Sequence, residues 1–323
     1  MSSCLVKYFM KILHLRHNQI DRIKWDATIA HSLCDLPYAY SWYLDVVCPM
    51  WEALATEDYA FVMPLPLKKK WGIHYLIHPI WTQQLGIYSA NEITSEIYAT
   101  FCRRIPYLMY ELNINYLNYA VAADKVKCEK TNLIIPYSKN IDPIRKQYTT
   151  NTRRNITKAN KCGLEIREAS IDEFVALWQT ENQSMRSDLH TTIRPLVEAA
   201  FKSRDAINCV SKVDIAEGNF TPHLFGVYRE GRLVASLFGI QTRERFIYLI
   251  PVSNQAGKEH SAMFLLVDYI LENICCSQGF TFDCEGSMIE GVARFYRGFG
   301  AVEQPYASIS RCRPHWLVRL MHR

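Results

Sequence analysis

The sequence has no long apolar run. Nowhere do the roughly 20 hydrophobic residues of a membrane span follow one another, so no spanning helix is expected. Metal-ligand spacing is missing as well: none of the 11 cysteines forms a C-x-x-C pair, and only Cys275 and Cys276 are adjacent. No metal is expected. Most cysteines stand in apolar stretches (Cys162, Cys209, Cys284), where a reduced thiol acts as a small buried hydrophobe. That usage points to a reducing, cytoplasmic compartment. No G-x-S-x-G, Walker loop or H-E-x-x-H occurs, which leaves hydrolase and kinase readings without support. The opening MSSCLVKYFMKILHL is broken by Lys7 and Lys11 and is followed by no small-residue cleavage site, so a signal peptide is not expected. A large excess of positive over negative charge is missing too. A net charge of +5 is less than a general nucleic-acid binder usually carries; it permits an anionic ligand without demanding one.

What is present is the balance of a globular chain with a sizeable core: 49% hydrophobic and 21% charged residues. Its 323 residues suit two domains of ordinary size. The boundary is placed in the polar stretch Ser138 to Asn155, where Asp142-Pro143 reads as a helix start. This gives a first domain over 1–145, a second over 146–312, and a tail, 313–323, expected to pack on the first. Trp25, Trp42, Trp51, Trp71 and Trp81 all fall in the first domain, as core residues or as the lining of a substrate groove.

The second half has sharp local signals. Leu164–Glu168 reads as a strand and Ser170-x-x-Glu173 as a capping box opening a helix to about Met185. A further helix is expected over Thr192–Lys202 and a strand over Ile207–Lys212. His223–Tyr228 and Arg232–Gln241, joined by Glu230-Gly231, form a hairpin signal. Arg245–Val252 is a third strand, Ser261–Cys276 a long helix, Thr281–Cys284 a short strand, Ile289–Arg297 a helix and Tyr306–Arg311 a last strand. The first half repeats the theme more loosely. Helices are expected over Ile23–Leu33 and Ala90–Arg104, and strands over Tyr59–Leu67, Gly72–His78, Tyr116–Val121 and Asn132–Tyr137. Lys68-Lys69-Lys70 reads as a hairpin turn. The order implies helices on a mixed sheet, an α/β arrangement.

Two segments carry a family resemblance. One is Phe280-Thr-Phe-Asp283-Cys-Glu285-Gly286-Ser287 with Ala293-Arg-Phe-Tyr296-Arg-Gly298-Phe-Gly300-Ala301. The other is Asn151-Thr-Arg153-Arg154-Asn155-Ile-Thr-Lys158-Ala159-Asn-Lys161-Cys-Gly163-Leu164. The first resembles the late strand and helix of GNAT acyltransferases, with their Tyr-x-x-x-Gly pattern. Both resemble FemAB-like aminoacyltransferases, which are built from two such lobes. The resemblance, over roughly residues 20–310, implies tandem GNAT-like lobes, the second complete and the first reduced. It also implies transfer of an acetyl or aminoacyl group to an amine. The donor would be acetyl-CoA or another acyl-CoA, or a charged tRNA; the acceptor would be a small molecule or a cell-wall precursor peptide. A non-catalytic binding protein that keeps the fold is the other reading.

The resemblance makes Tyr296 the candidate general acid, against packing beside Phe295 and Phe299. Asp283 and Glu285 flank Cys284 at a strand end and so share a face. They suit the capture of a proton from the incoming amine, or the cap of the following turn. Arg153, Arg154 and Lys158, with Lys161, form a helical basic patch for substrate phosphates, or a solvated face. In GNAT enzymes a Gly-containing turn cradles the CoA pyrophosphate at a helix start. Here the equivalent stretch, Asn254 to Ala262, is degraded, leaving Lys258, His260 and Ser261 as candidate cofactor contacts. The resemblance further implies that the strands ending near Val252 and Cys284 splay apart to admit a donor carbonyl.

Overall fold

The structure, a computed structural model, describes residues 10–122, 126–210, 220–286 and 289–312; the expected tail 313–323 lies outside the described residues. A small antiparallel sheet pairs β1 (Ile12–Leu15), β2 (Glu52–Thr56) and β3 (Val62–Leu65). Ten further strands make one large mixed sheet. They are β4 (Leu67–Lys70), β5 (Ile73–Ile77), β6 (Met109–Ile114), β7 (Cys128–Ile135), β8 (Leu164–Glu168), β9 (Thr221–Arg229), β10 (Arg232–Gln241), β11 (Arg245–Ser253), β12 (Thr281–Asp283) and β13 (Val302–Cys312). Their order is β4-β5-β6-β13-β7-β12-β11-β10-β9-β8.

The α-helices are α1 (Arg22–His31), α2 (Ser41–Val47), α3 (Ser95–Arg104), α4 (Tyr116–Val121), α5 (Ile141–Gln147), α6 (Thr150–Asn160), α7 (Ile171–Glu181), α8 (Ser187–Val210), α9 (Gln255–Glu259), α10 (Ala262–Ile270) and α11 (Glu290–Arg297). A π-helical stretch, Leu271–Cys276, prolongs α10. None of the described helices is long and apolar enough to cross a membrane.

Local chemistry sets most of these boundaries. Ser170 and Glu173 close a reciprocal capping box on α7, as expected. Thr149 caps α6 by accepting from the Thr152 amide. Glu230 (φ 51°) and Gly231 (φ 75°) make the two-residue turn between β9 and β10, which demands positive φ at both positions.

Three expectations are corrected. Tyr116–Val121 is a helix, not a strand, because Asn115 accepts the Asn118 amide and starts a turn that a six-residue apolar run does not advertise. The segment from Ile207 stays helical to Val210, and 211–219 lie outside the described residues. The Lys68–Lys70 run is strand β4 itself. Lys70 pairs with Ile73, so the turn is Trp71-Gly72, with φ of 51° and 80°.

The core is shared between the halves. Trp25, Tyr43 and Trp51 of the first lobe belong to the same buried cluster as Phe174, Ile193, Phe238 and Ile247 of the second. Along β11 the side chains alternate: Ile247 and Leu249 enter that cluster, while Phe246 and Tyr248 enter another with α10 and α11. Trp42 and Trp81 pack against the shared core, and Trp71 does not, being 68% exposed. The last strand, β13, sits between β6 and β7 of the first half.

Candidate active site

The large sheet narrows to a seam at β12. This three-residue strand pairs with β7 through Phe282↔Ile135 and Asp283↔Ile134. On its other side it pairs in parallel with β11, only over Arg245↔Thr281, Phe246↔Phe282 and Ile247↔Asp283. β11 continues to Ser253, so Tyr248 onward has no partner from β12. The chain leaves β12 sharply through Glu285 (φ 57°) and Gly286 (φ 51°). A Cβ on Gly286 would lie 2.4 Å from the Thr131 carbonyl oxygen, which reserves that position for glycine.

Asp283 is fully buried and accepts three hydrogen bonds. Its carboxylate accepts from Arg245 Nη1 (2.8 Å), Asn132 Nδ2 (2.9 Å) and the Glu285 amide (2.9 Å). Arg245 also donates to Gln304 (3.1 Å) and lies 4.6 Å from the centre of the Tyr116 ring. Burial works against the guanidinium charge, but the Asp283 carboxylate holds it protonated. Gln83 of the first lobe donates to Asn132 (3.1 Å), so the network crosses the seam. Asp283 and Glu285 are therefore neighbours in different settings. Asp283 is locked in an ion pair, whereas Glu285 is partly exposed and accepts from the Tyr38 hydroxyl, a first-lobe residue. Burial, with the Asp283 charge adding to it, pushes the Glu285 carboxyl well above the usual carboxylate range, against the pull of the Tyr38 hydrogen bond.

Tyr296 lies on α11 in the cluster that holds Tyr248 and Cys284, 6% exposed. Its ring meets Tyr248 edge-on at 5.8 Å, beside the first β11 residue past the paired stretch. Burial raises its phenol well above 10, and the nearby Glu285 and Asp283 charges add to the effect. β12 pairs with β11 along all three of its residues, so the expected splay does not occur within the strand; Tyr296, Tyr248 and Glu285 gather just beyond its end. A cavity of about 530 Å³ opens on the outer side, lined by Thr152, Phe264, Arg294 and Phe295 among others; none of those three residues lines it.

The turn before α10 is filled by its own side chains. α9 occupies it, capped by Asn254, and Gly257 faces β10 so closely that a Cβ would lie 2.3 Å from the Val234 carbonyl oxygen. Lys258 reaches Glu181 (3.4 Å), His260 accepts from Arg229, and Ser261, in the left-handed region, donates to Asn155 of α6 (2.7 Å). The GNAT family binds acyl-CoA through a glycine turn that exposes amides to the pyrophosphate. Here the glycine serves packing and each candidate side chain is engaged, so these residues do not fit that group in the family manner. The Asn155–Ser261 bond instead lays basic α6 across the start of α10. Arg153 donates to the Arg145 and Lys146 carbonyls, while Arg154 and Lys158 are exposed. Among the described residues no cluster of His, Cys, Asp and Glu is placed to hold a metal.

Sequence reasoning missed Arg245, Asn132, Gln83, Tyr38 and Tyr248. A lone arginine opening an apolar strand was the available signal for Arg245; Tyr38, 247 positions from Glu285, had none.

Residues 146–286 match the family model described as an acetyltransferase (GNAT) domain. No curated protein matches the sequence. Among solved structures, FemX superposes with a TM-score of 0.67 at 11% identity, covering 97% of this chain and 100% of its own. The C-terminal domain of a protein assigned as a lysylphosphatidylglycerol synthetase from Agrobacterium fabrum gives 0.61 at 10% identity, covering 93% and 95%. A protein of unknown function from Bacteroides thetaiotaomicron gives 0.51 at 12%, covering 91% and 93%. With its strand order and the core its halves share, the chain has the two-lobed GNAT fold, similar in architecture to FemX, and its residues 146–286 match the acetyltransferase (GNAT) domain.

Proposed function

We propose that this protein transfers an aminoacyl group from a charged tRNA to an amine acceptor at the gap where β11 outruns β12. The observation that carries the reading is the end of strand pairing at Ile247–Asp283, with Tyr248, Tyr296 and Glu285 gathered beside it. Unpaired backbone there has amides free to meet the oxyanion of a tetrahedral intermediate.

Each group supports one step. The acceptor arrives as an ammonium and must lose a proton to attack. Glu285, whose proton affinity is raised by burial, is suited to take it. As the C–N bond forms and the ester C–O bond breaks, Tyr296 protonates the leaving ribose oxygen and is restored by the second proton that the attacking nitrogen sheds. The occupied turn before α10 favours an ester donor over a thioester. Exposed Arg154 and Lys158 on α6 suit a polyanionic donor. Asp283, held by Arg245, positions Glu285 through its amide.

The test offers the protein charged tRNA or acetyl-CoA, with an amine-bearing peptide, and follows amide formation by mass spectrometry. Product from charged tRNA alone is expected. A ligand at a hundredfold excess over its dissociation constant also adds about 2.7 kcal/mol of stability. Product from acetyl-CoA alone overturns the donor assignment. Product from neither, with a stability shift from a peptide alone, supports a binding protein that keeps the fold.

A further inference from the structure

The hairpin of β4 and β5 is built against the ordinary rules of an exposed turn. Its two-residue turn requires positive φ at both central positions, which favours asparagine, aspartate or glycine. The first position is instead Trp71, at φ 51° and 68% exposed. A bulky residue kept in a strained backbone region and left in solvent is an outlier that packing does not explain. Ile73 beside it is 37% exposed, and Met50, across an adjacent groove, is 67% exposed.

That groove, about 440 Å³, lies between α2, the hairpin and α8. Its floor is aliphatic, from Val46, Val47, Leu67 and Ile80, and its rim is basic, from Lys68, Lys69 and His74. Its one acid, Asp188, is already paired with Arg186 (2.5 Å). Neither Lys68 nor Lys69 has an ion-pair partner among the described residues, and Lys70 lies 5.0 Å from the centre of the Trp71 ring. β4 is the edge of the large sheet. Edge lysines alone have an ordinary use, to block edge-to-edge pairing. They do not account for an exposed tryptophan at the tip of the hairpin.

We propose that this hairpin is an interfacial anchor that seats the protein on an anionic lipid bilayer. Trp71 and Ile73 enter the headgroup region, and Lys68, Lys69 and Lys70 meet the negative surface. Tryptophan suits that boundary because one part of its ring is apolar and one polar. Basic residues close to such a surface add to binding and are screened by salt. An aliphatic groove floor and a single exposed ring favour lipid over nucleic acid, which calls for stacking platforms. The inference is independent of the catalytic reading.

The experiment is co-sedimentation of the whole chain with phosphatidylcholine vesicles, with and without phosphatidylglycerol. The protein is expected to partition onto the anionic vesicles alone, less so as salt rises. Changing Lys68→Ala and Lys69→Ala together lowers the partition coefficient by about 25-fold, about fivefold for each lysine near the surface. Trp71→Asn lowers it on the order of tenfold, through the lost apolar contact. Trp71→Asn also places the favoured asparagine–glycine pair in the turn, so its melting temperature holds or rises; a fall in partition therefore is not unfolding. No partition of the wild-type chain, equal partition onto both vesicle types, or wild-type partition by these variants overturns the proposal. So does RNA capture that is lost in the same variants while vesicle binding is absent.

Discussion

Replacing Arg245 with methionine removes the charge that makes a buried Asp283 tolerable. The pair is 2.8 Å apart with side-chain exposures of 9% and 0%, so water does not compensate for the loss. Breaking a buried ion pair from one side costs about 3–5 kcal/mol, because the remaining charge is stranded. Asp283 keeps two donors, Asn132 and the Glu285 amide, which holds the cost toward the lower end. The lost contact with the Tyr116 ring adds about 0.5–2 kcal/mol. A total of about 4 kcal/mol is therefore expected by urea denaturation, with the m-value unchanged. Pairing Arg245→Met with Asp283→Asn removes both charges, so the double variant should lose at least about 2 kcal/mol less than the sum of the single losses. A loss below about 1 kcal/mol for Arg245→Met, or additive singles, refutes the claim that this pair holds the seam. The same set decides the role of Asp283. An acid–base group would lose turnover in Asp283→Asn at unchanged stability, whereas a positioning residue loses both.

Two further outcomes follow, one from the candidate site and one from buried His78. Tyr296→Phe keeps the ring against Tyr248 and removes only the hydroxyl, so donor binding by thermal shift should hold while turnover falls about 10²–10⁴-fold; normal turnover would exclude the phenol as acid. Burial depresses His78 to about 3, with Nδ1 accepting from the Asn113 amide and Nε2 donating to the Thr82 carbonyl. The unfolded chain therefore binds a proton between about pH 6.5 and 3 that the folded chain refuses, and this one group makes stability fall as pH drops through that window. His78→Gln should flatten the fall relative to wild type in denaturation series across it; parallel curves would show that the imidazole is not held neutral.

Much of the second lobe was legible because its signals are local. Ser170 and Glu173 are three residues apart, Glu230-Gly231 makes a turn by itself, and the apolar spacing of Phe264, Leu265, Val267, Ile270 and Leu271 repeats as a helix does. The first lobe was harder. Its strands are short, and the apolar run Tyr116–Val121 fits either period until Asn115 is seen to cap it. Lys68–Lys70 looked like a turn because charge usually marks one, yet here it marks the edge of a sheet. The site was legible in part. Tyr296, Asp283 and Glu285 stand in one recognisable segment, but their partners come from far along the chain: Asn132 is 151 positions from Asp283. No periodicity carries that information, since such contacts exist only once the sheet has closed.

The seam explains why two adjacent carboxylates have different work. A sheet joined through a three-residue strand needs something besides ladder bonds to hold its halves, and the Arg245–Asp283–Asn132–Gln83 chain supplies it across both sides. An acid used in this way is committed to the seam through three hydrogen bonds. The next acid, two residues on, stands beyond the last ladder pair, where backbone at positive φ turns it toward Tyr38 of the other lobe. The short strand thus does two things through one feature. It ends at Asp283, so β11 from Tyr248 onward has no partner from β12, and the charge network at its end holds Glu285 through its amide. Lengthening β12 would strengthen the sheet; with only three residues in that strand, the buried ion pair supports the seam in place of further ladder bonds.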